Sequence, residues 1–292
     1  MPSNFALRGL IAGLLAPVAS AVPAQQADVY AQLARSDPEF KPLADGTWHN
    51  TTAHIMAVDP PQALPERATA DDLRWQPVLD FDTDGCYNVP AIDANGNIVE
   101  GLDNNWTGLS EDCRDESDLR NNNVYSRQRC NNGWCAYVYG YYFEKDVAIP
   151  NFLDPGHRHD WEHIQVWVKD GKAEFVSASQ HGGFEIKPAS EVRWEGDRPK
   201  MVYHKDGVTT HCFRFASAAD DAIENHLGVW FRGSLVSYNG FPGNTRDLLA
   251  AHDFGKANWA LKDASFQGSL DRGKHESITF NTGVDEGSPG TP

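Results

Sequence analysis

Apolar and polar positions alternate with a period of two at Ile164-Gln165-Val166-Trp167-Val168, in the middle of this chain. Aromatic or β-branched runs fall at Trp134–Phe143, Glu162–Lys169, Glu174–Ser179, Lys200–His204, Thr210–Phe215 and Val229–Ser237, each bounded by Gly, Pro, Asn or Asp. Such alternation puts every second side chain on one face of a strand. Short strands at this spacing predict an all-β-dominated fold, a single-domain β-sandwich with a few peripheral helices. Helical patterns are confined to Asp220–His226 and Thr245–His252. Residues 22–70 carry several prolines and little periodicity and read as an irregular N-terminal extension; residues 71–270 read as the sandwich; residues 271–292, polar and rich in Gly and Pro, read as a flexible tail.

The first 21 residues have a different character. Arg8 precedes the apolar run Gly9–Ala16, and Ala19-Ser20-Ala21 supplies small residues, the layout of a secretory signal peptide cleaved after Ala21, with Ala24 as the alternative. Secretion makes disulfides the first expectation for the five cysteines. Cys130 and Cys135 flank a turn-forming Asn131-Asn132-Gly133, so a tight loop closed by sulfur is reasonable; Cys86 and Cys113 then close a longer one, and Cys212, in a strand-like run, reads as a buried free thiol. Asn50 and Asn105 head glycosylation sequons. The net charge of −16 argues against nucleic acid as a partner and against adhesion to anionic lipid by charge alone.

Chemistry concentrates in Gly156-His157-Arg158-His159-Asp160-Trp161-Glu162-His163. Counting back from Ile164, Val166 and Val168 puts Asp160 and Glu162 on the core-facing side of a strand, where two carboxylates repel unless a cation lies between them. His157 has the opposite parity to Asp160 and joins them only if the backbone turns. Asp146, at the end of the preceding aromatic run, is available as a fourth ligand. One imidazole and three carboxylates make a hard set that suits Ca²⁺, Mg²⁺ or Mn²⁺. Two other readings stand beside this one. An ion-paired strand end needs no metal. A metalloprotease is suggested by His159-Asp160-Trp161-Glu162-His163, which matches H-x-x-E-H but must lie on a helix.

The heptapeptide Gly156–Glu162 resembles the signature of the necrosis- and ethylene-inducing-peptide-like proteins, or NLPs. Asp84-Gly85-Cys86-Tyr87, Cys113-Arg114-Asp115, Val124–Arg127, Ala136–Tyr139, Tyr142–Asp146, Asp253–Asn258 and Lys262–Phe266 are similar to the family pattern as well, over roughly residues 71–270. The extra Cys130/Cys135 pair resembles the fungal-type branch with two disulfides. The resemblance implies a sandwich related to actinoporins and fungal lectins. It implies a secreted, non-enzymatic phytotoxic cytolysin or immune elicitor that binds glycosylinositol phosphorylceramide sphingolipids of plant plasma membranes, with plant immune receptors as further partners. It implies a divalent-cation site at Asp146, His157, Asp160 and Glu162, and in this branch a second calcium site drawn from Asp93, Asn95, Asn97 and Asp103, although that segment departs from an EF-hand. Cytolytic relatives carry an exposed Trp on a membrane-facing loop; the counterpart here, Lys205–His211, has none. The alternatives are a non-lytic effector, an elicitor recognised as a peptide around residues 136–169, and a secreted metal-dependent hydrolase. Gln180-His181-Gly182-Gly183 is placed to line the pocket beside the cation.

Overall fold

The computed structural model describes residues 59–153, 155–287 and 291–292. The signal peptide, Asn50 and most of the N-terminal extension lie outside the described residues. In chain order the strands are β1 Val78–Phe81, β2 Asn123–Asn131, β3 Trp134–Val147, β4 Gly156–Lys169, β5 Lys172–Gln180, β6 Gly183–Pro188, β7 Trp194–Glu195, β8 Arg198–Lys205, β9 His211–Phe215 and β10 Ser234–Ser237. The helices are α1 Ala70–Trp75, α2 Glu116–Arg120, α3 Thr245–Ala251 and α4 Asp263–Gly273. A six-stranded sheet runs in the order β10-β2-β3-β4-β5-β6, and β1, β8, β7 and β9 make the smaller sheet that packs on it.

The architecture is a β-sandwich with a third layer. Tyr139, Tyr141 and Phe143 of β3 and Ile164, Val166 and Val168 of β4 meet Met201, Tyr203 and Phe213 of the smaller sheet. The alternate residues Val138, Tyr142, Trp161 and Trp167 face the other way, onto Leu249 of α3, Phe266 and Leu270 of α4, and Ile278 and Phe280. The large sheet is thus buried on both faces, and Trp134–Phe143 of β3 accordingly runs without a charged residue.

Several expectations are corrected. β4 starts at Gly156 rather than Glu162, so the whole charged motif lies within a strand. Asp220–His226 holds only a 3-10 turn at Ala219–Asp221. Its amides are drawn away from helical partners, because Glu224 N and Asn225 N donate to the Asp80 carboxylate. The described part of the tail from residue 271 is not loose: α4 extends into it as far as Gly273, Ile278 and Phe280 are buried, and Asn131 Nδ2 donates to the carbonyls of Asn281 and Val284. Only two apolar side chains, two residues apart, close that edge of the core, a run too short to give a periodic signal. The sandwich boundary set at residue 71 falls inside α1, and Leu64 is already buried.

Cys86–Cys113 and Cys130–Cys135 are disulfides, and Cys212 is a buried free thiol. β2 escapes a hydrophobicity reading because Arg127 and Arg129 stand in it. Their guanidinium groups lie over the Phe266 ring of α4 at 4.3 and 4.9 Å, which covers their aliphatic stems.

Candidate metal centre

β3 and β4 pair up to Asp146 opposite His157 and Val147 opposite Gly156. Simple alternation would separate His157 from Asp160. The conflict is resolved at His159, which adopts a left-handed φ of 62° while the pairing register on either side is kept. The carbonyl of His159 then lies 2.8 Å from His157 Nδ1. A carbonyl only accepts, so the Nδ1 proton is fixed there and the Nε2 lone pair is left for a ligand. Gly156 is required by close approach: a Cβ at that position would lie 2.0 Å from the Asp146 carbonyl oxygen. Gly156→Ala is therefore expected to push the two strands apart at the ligand pair, costing about 1–3 kcal/mol and weakening cation binding. Thermal melts with and without cation check this, and unchanged values for both would contradict it.

Asp146, His157 and Asp160 each bring a ligand atom within 4.8 Å of the others. Glu162 lines the same cavity of about 280 Å³, outside that closest trio. Each carboxylate is oriented by one neighbour. Asp146 accepts from His211 N at 3.0 and 2.9 Å and faces His211 Nδ1 at 2.7 Å. Tyr203 Oη donates to Asp160 Oδ2 at 3.0 Å, and Ser179 Oγ donates to Glu162. Tyr203 is itself clamped between the rings of Phe143 and His211. His211, Tyr203 and Ser179 carry no sequence signal for this role. They sit in ordinary strand alternation on β9, β8 and β5, and only the packing of the sheets brings them to the motif. The His181–Phe184 turn, Lys256, Asn258 and Arg272 line the same cavity.

The electrostatics is that of a site short of positive charge. Burial, then the Asp146 carboxylate, pushes Asp160 up to about 7. Burial, then Asp160, holds Glu162 well above the usual carboxylate range. For His211, burial opposes the charge, yet hydrogen bonds to Asp146 and Asp84 carry it up to about 9. The sign of the pH dependence follows. Above about pH 6.5 the carboxylates and imidazoles of the unfolded chain have lost their protons, while Asp160, Glu162 and His211 retain theirs in the fold. The cation-free protein is therefore expected to lose stability as pH rises from about 6.5 to 9. A saturating divalent cation should flatten that slope. Melting temperatures across this range, with chelator and with cation, are the measurement; a rising chelated curve would refute the assignment.

The remaining motif residues serve the other side of the sheet. His159 Nδ1 lies 2.6 Å from the Tyr142 hydroxyl, and Trp161 packs among Tyr142, Phe254 and Trp259. Arg158 Nη1 donates to the Gly101 carbonyl at 3.1 Å. The metalloprotease reading fails here: His159 and His163 lie on a strand, and His163 Nε2 is engaged by Ser269 Oγ at 2.7 Å, on the face opposite Glu162. Asp93 and Asp103 each organise a turn of their own. Asp93 accepts from Asn95 N, Asn97 N and Asn97 Nδ2, and Asp103 accepts from Asn105 N and Nδ2. The Asn105 sequon lies in a surface turn beside the exposed Trp106.

Residues 69–273 match the family described as "Necrosis inducing protein (NPP1)". The chain belongs to this family. Among curated relatives, NLP effector protein 10 of Phytophthora capsici is 34% identical over 205 residues, 68% of this chain and 80% of that one. Necrosis-inducing protein NPP1 of Phytophthora nicotianae is 31% identical over 216 residues, 70% of this chain and 84% of that one. Among solved structures, NLPPya in complex with mannosamine superposes with a TM-score of 0.60 at 29% identity, covering 73% of this chain and 96% of that one; a glucosamine complex of NLPPya matches equally. These relatives are named as effectors and necrosis-inducing proteins, and none of these names denotes an enzyme. The NLP sandwich is thus the fold of this chain, and Gly156–Glu162 is the half of β4 that borders the acidic cavity.

Proposed function

We propose that the protein is a secreted NLP toxin that uses a divalent cation, Ca²⁺ or Mg²⁺, to bind a sugar-bearing sphingolipid head group at the plant plasma membrane. The observation that carries the reading is the convergence of Asp146, His157 and Asp160, with Glu162, Lys256 and Arg272 lining the same cavity. Oxygen-rich ligands suit a hard cation that keeps open positions for a hydroxyl or phosphate oxygen. Lys256 and Arg272 suit the charge of a phosphorylated head group. The sugar complexes of NLPPya support the same ligand chemistry for this chain.

An exposed apolar rim also supports it. The segment of residues 148–153 leaves β3 just beyond the Asp146–His157 pair and exposes Ile149, Phe152 and Leu153. It is tied to the neighbouring turn by Trp106 N donating to the Phe152 carbonyl at 2.9 Å, and Trp106 is 65% exposed. The Trp expected on Lys205–His211 is absent there, but an interfacial aromatic stands on this second loop pair. An elicitor role as a peptide from residues 136–169 requires unfolding, because that segment forms the two buried central strands β3 and β4. The test is leakage from vesicles with and without glycosylinositol phosphorylceramide, in cation or in chelator. Leakage is expected only where lipid and cation are both present. Leakage in chelator would overturn the cation mechanism, and cation-dependent binding without leakage would mark a non-lytic member.

A further inference from the structure

We propose a second metal site, of softer character, formed by His181, His204, Asp206 and Cys212 and fitted to Zn²⁺. It lies where two hairpin turns meet, the β5–β6 turn of the large sheet and the β8–β9 turn of the smaller one. His181, Asp206 and Cys212 each offer a ligand atom within 4.8 Å of the others. His181 Nε2 is 3.1 Å from Asp206 Oδ2. His204 is the cross-strand partner of Cys212, and its Nε2 lies 3.6 Å from the sulfur. The 3.1 and 3.6 Å separations are close to those between ligands on the edges of a zinc tetrahedron, and His204, outside the trio, joins it by a side-chain rotation about its contact with Cys212.

The composition sets this cluster apart from the acidic cavity. Asp146, His157, Asp160 and Glu162 offer one nitrogen and carboxylate oxygens, a set for Ca²⁺ or Mg²⁺. The second cluster offers a sulfur, two imidazole nitrogens and one carboxylate, a borderline set that prefers Zn²⁺. Four protein ligands make a closed, structural site rather than a catalytic one. Entry is from the surface, because His181 and Asp206 are partly exposed above the buried Cys212. On binding, the sulfur–metal bond forms as the thiol proton leaves to solvent, with no change of oxidation state. The consequence is mechanical: the ion pins the Lys205–Thr210 turn, with its exposed Val208, to the His181 turn that lines the acidic cavity.

Cobalt(II) is the spectroscopic probe, and Asp160→Asn is the background that removes the acidic site. Purified, reduced, metal-free protein is titrated with Co²⁺ and then with Zn²⁺ in the presence of excess Mg²⁺. One equivalent of Co²⁺ is expected to give a sulfur-to-cobalt charge-transfer band with tetrahedral visible bands, displaced by Zn²⁺. Cys212→Ser should abolish the charge-transfer band, and His181→Ala, a turn residue whose loss spares the core, should weaken Zn²⁺ binding at least about tenfold. Absence of a thiolate band at saturating Co²⁺ overturns the proposal, as does Zn²⁺ affinity unchanged in His181→Ala. Failure of the acidic site to bind Ca²⁺ or Mg²⁺ leaves this result untouched, so the two sites are judged separately.

Discussion

Asp160→Asn is expected to abolish the stabilisation that Ca²⁺ or Mg²⁺ gives the protein, while leaving the chelated protein at least as stable as the wild type. The two halves of that result have one cause. Without a cation, Asp160 is a buried acid facing Asp146 and Glu162, and its charge is disfavoured by burial first and by Asp146 second. Asparagine removes the repulsion yet keeps an oxygen to accept from Tyr203 Oη, 3.0 Å away in the native pair. With a cation at 100 times its dissociation constant, the wild type gains about 2.7 kcal/mol. In a domain of this size that corresponds to a rise of roughly 5–10 °C in Tm. The variant should show almost none of it and should leak no vesicles. Equal cation-induced shifts in the two proteins would remove Asp160 from the site. A variant strongly destabilised in chelator would show that the carboxylate has a structural partner beyond Tyr203.

Loss of the Cys86–Cys113 disulfide is the second large effect, and it should reach the cation site. The bridge spans 27 residues, against 5 for Cys130–Cys135. Loop-closure entropy assigns about 3.5 kcal/mol to the longer loop and about 2 kcal/mol to the shorter. Position enlarges the difference. Cys86 lies two residues from Asp84, whose backbone carbonyl faces His211 Nε2 at 3.2 Å, and His211 orients Asp146. The double Cys86→Ala/Cys113→Ala protein is expected to lose about 3–4 kcal/mol in denaturant unfolding and to bind cation more weakly. The Cys130→Ala/Cys135→Ala protein should lose about half as much and keep its cation affinity, because that bridge joins β2 to β3 at the far end of the hairpin. The opposite order of losses would contradict this account.

Much of the sandwich is legible along the chain because strand alternation is a local property. The runs at Trp134–Phe143, Glu174–Ser179 and Lys200–His204 all lie within strands of the fold. Illegible elements share a physical cause. β2 hides behind arginines that are half-buried only because α4 and Tyr238 cover them, β1 is four residues long, and the end of the core at Ile278 and Phe280 is too short to show a period. The 3-10 turn at Ala219–Asp221 replaces a helix because Asp80, far away in sequence, captures the amides that would have extended it.

The same division runs through the site. Composition and order alone determined that one strand concentrates acids and imidazoles, that its parity sets Asp160 beside Glu162, and that Asp146 ends the strand before it. Tertiary structure decided the rest. A left-handed residue at His159 turns His157 inward, and β9 and β8 deliver His211 and Tyr203 to hold two of the carboxylates. The same packing placed a histidine and a carboxylate over Cys212. The physical reason is range: side-chain alternation is dictated by the covalent geometry of neighbouring residues, whereas ligand convergence depends on contacts between strands whose separation along the chain is tens of residues.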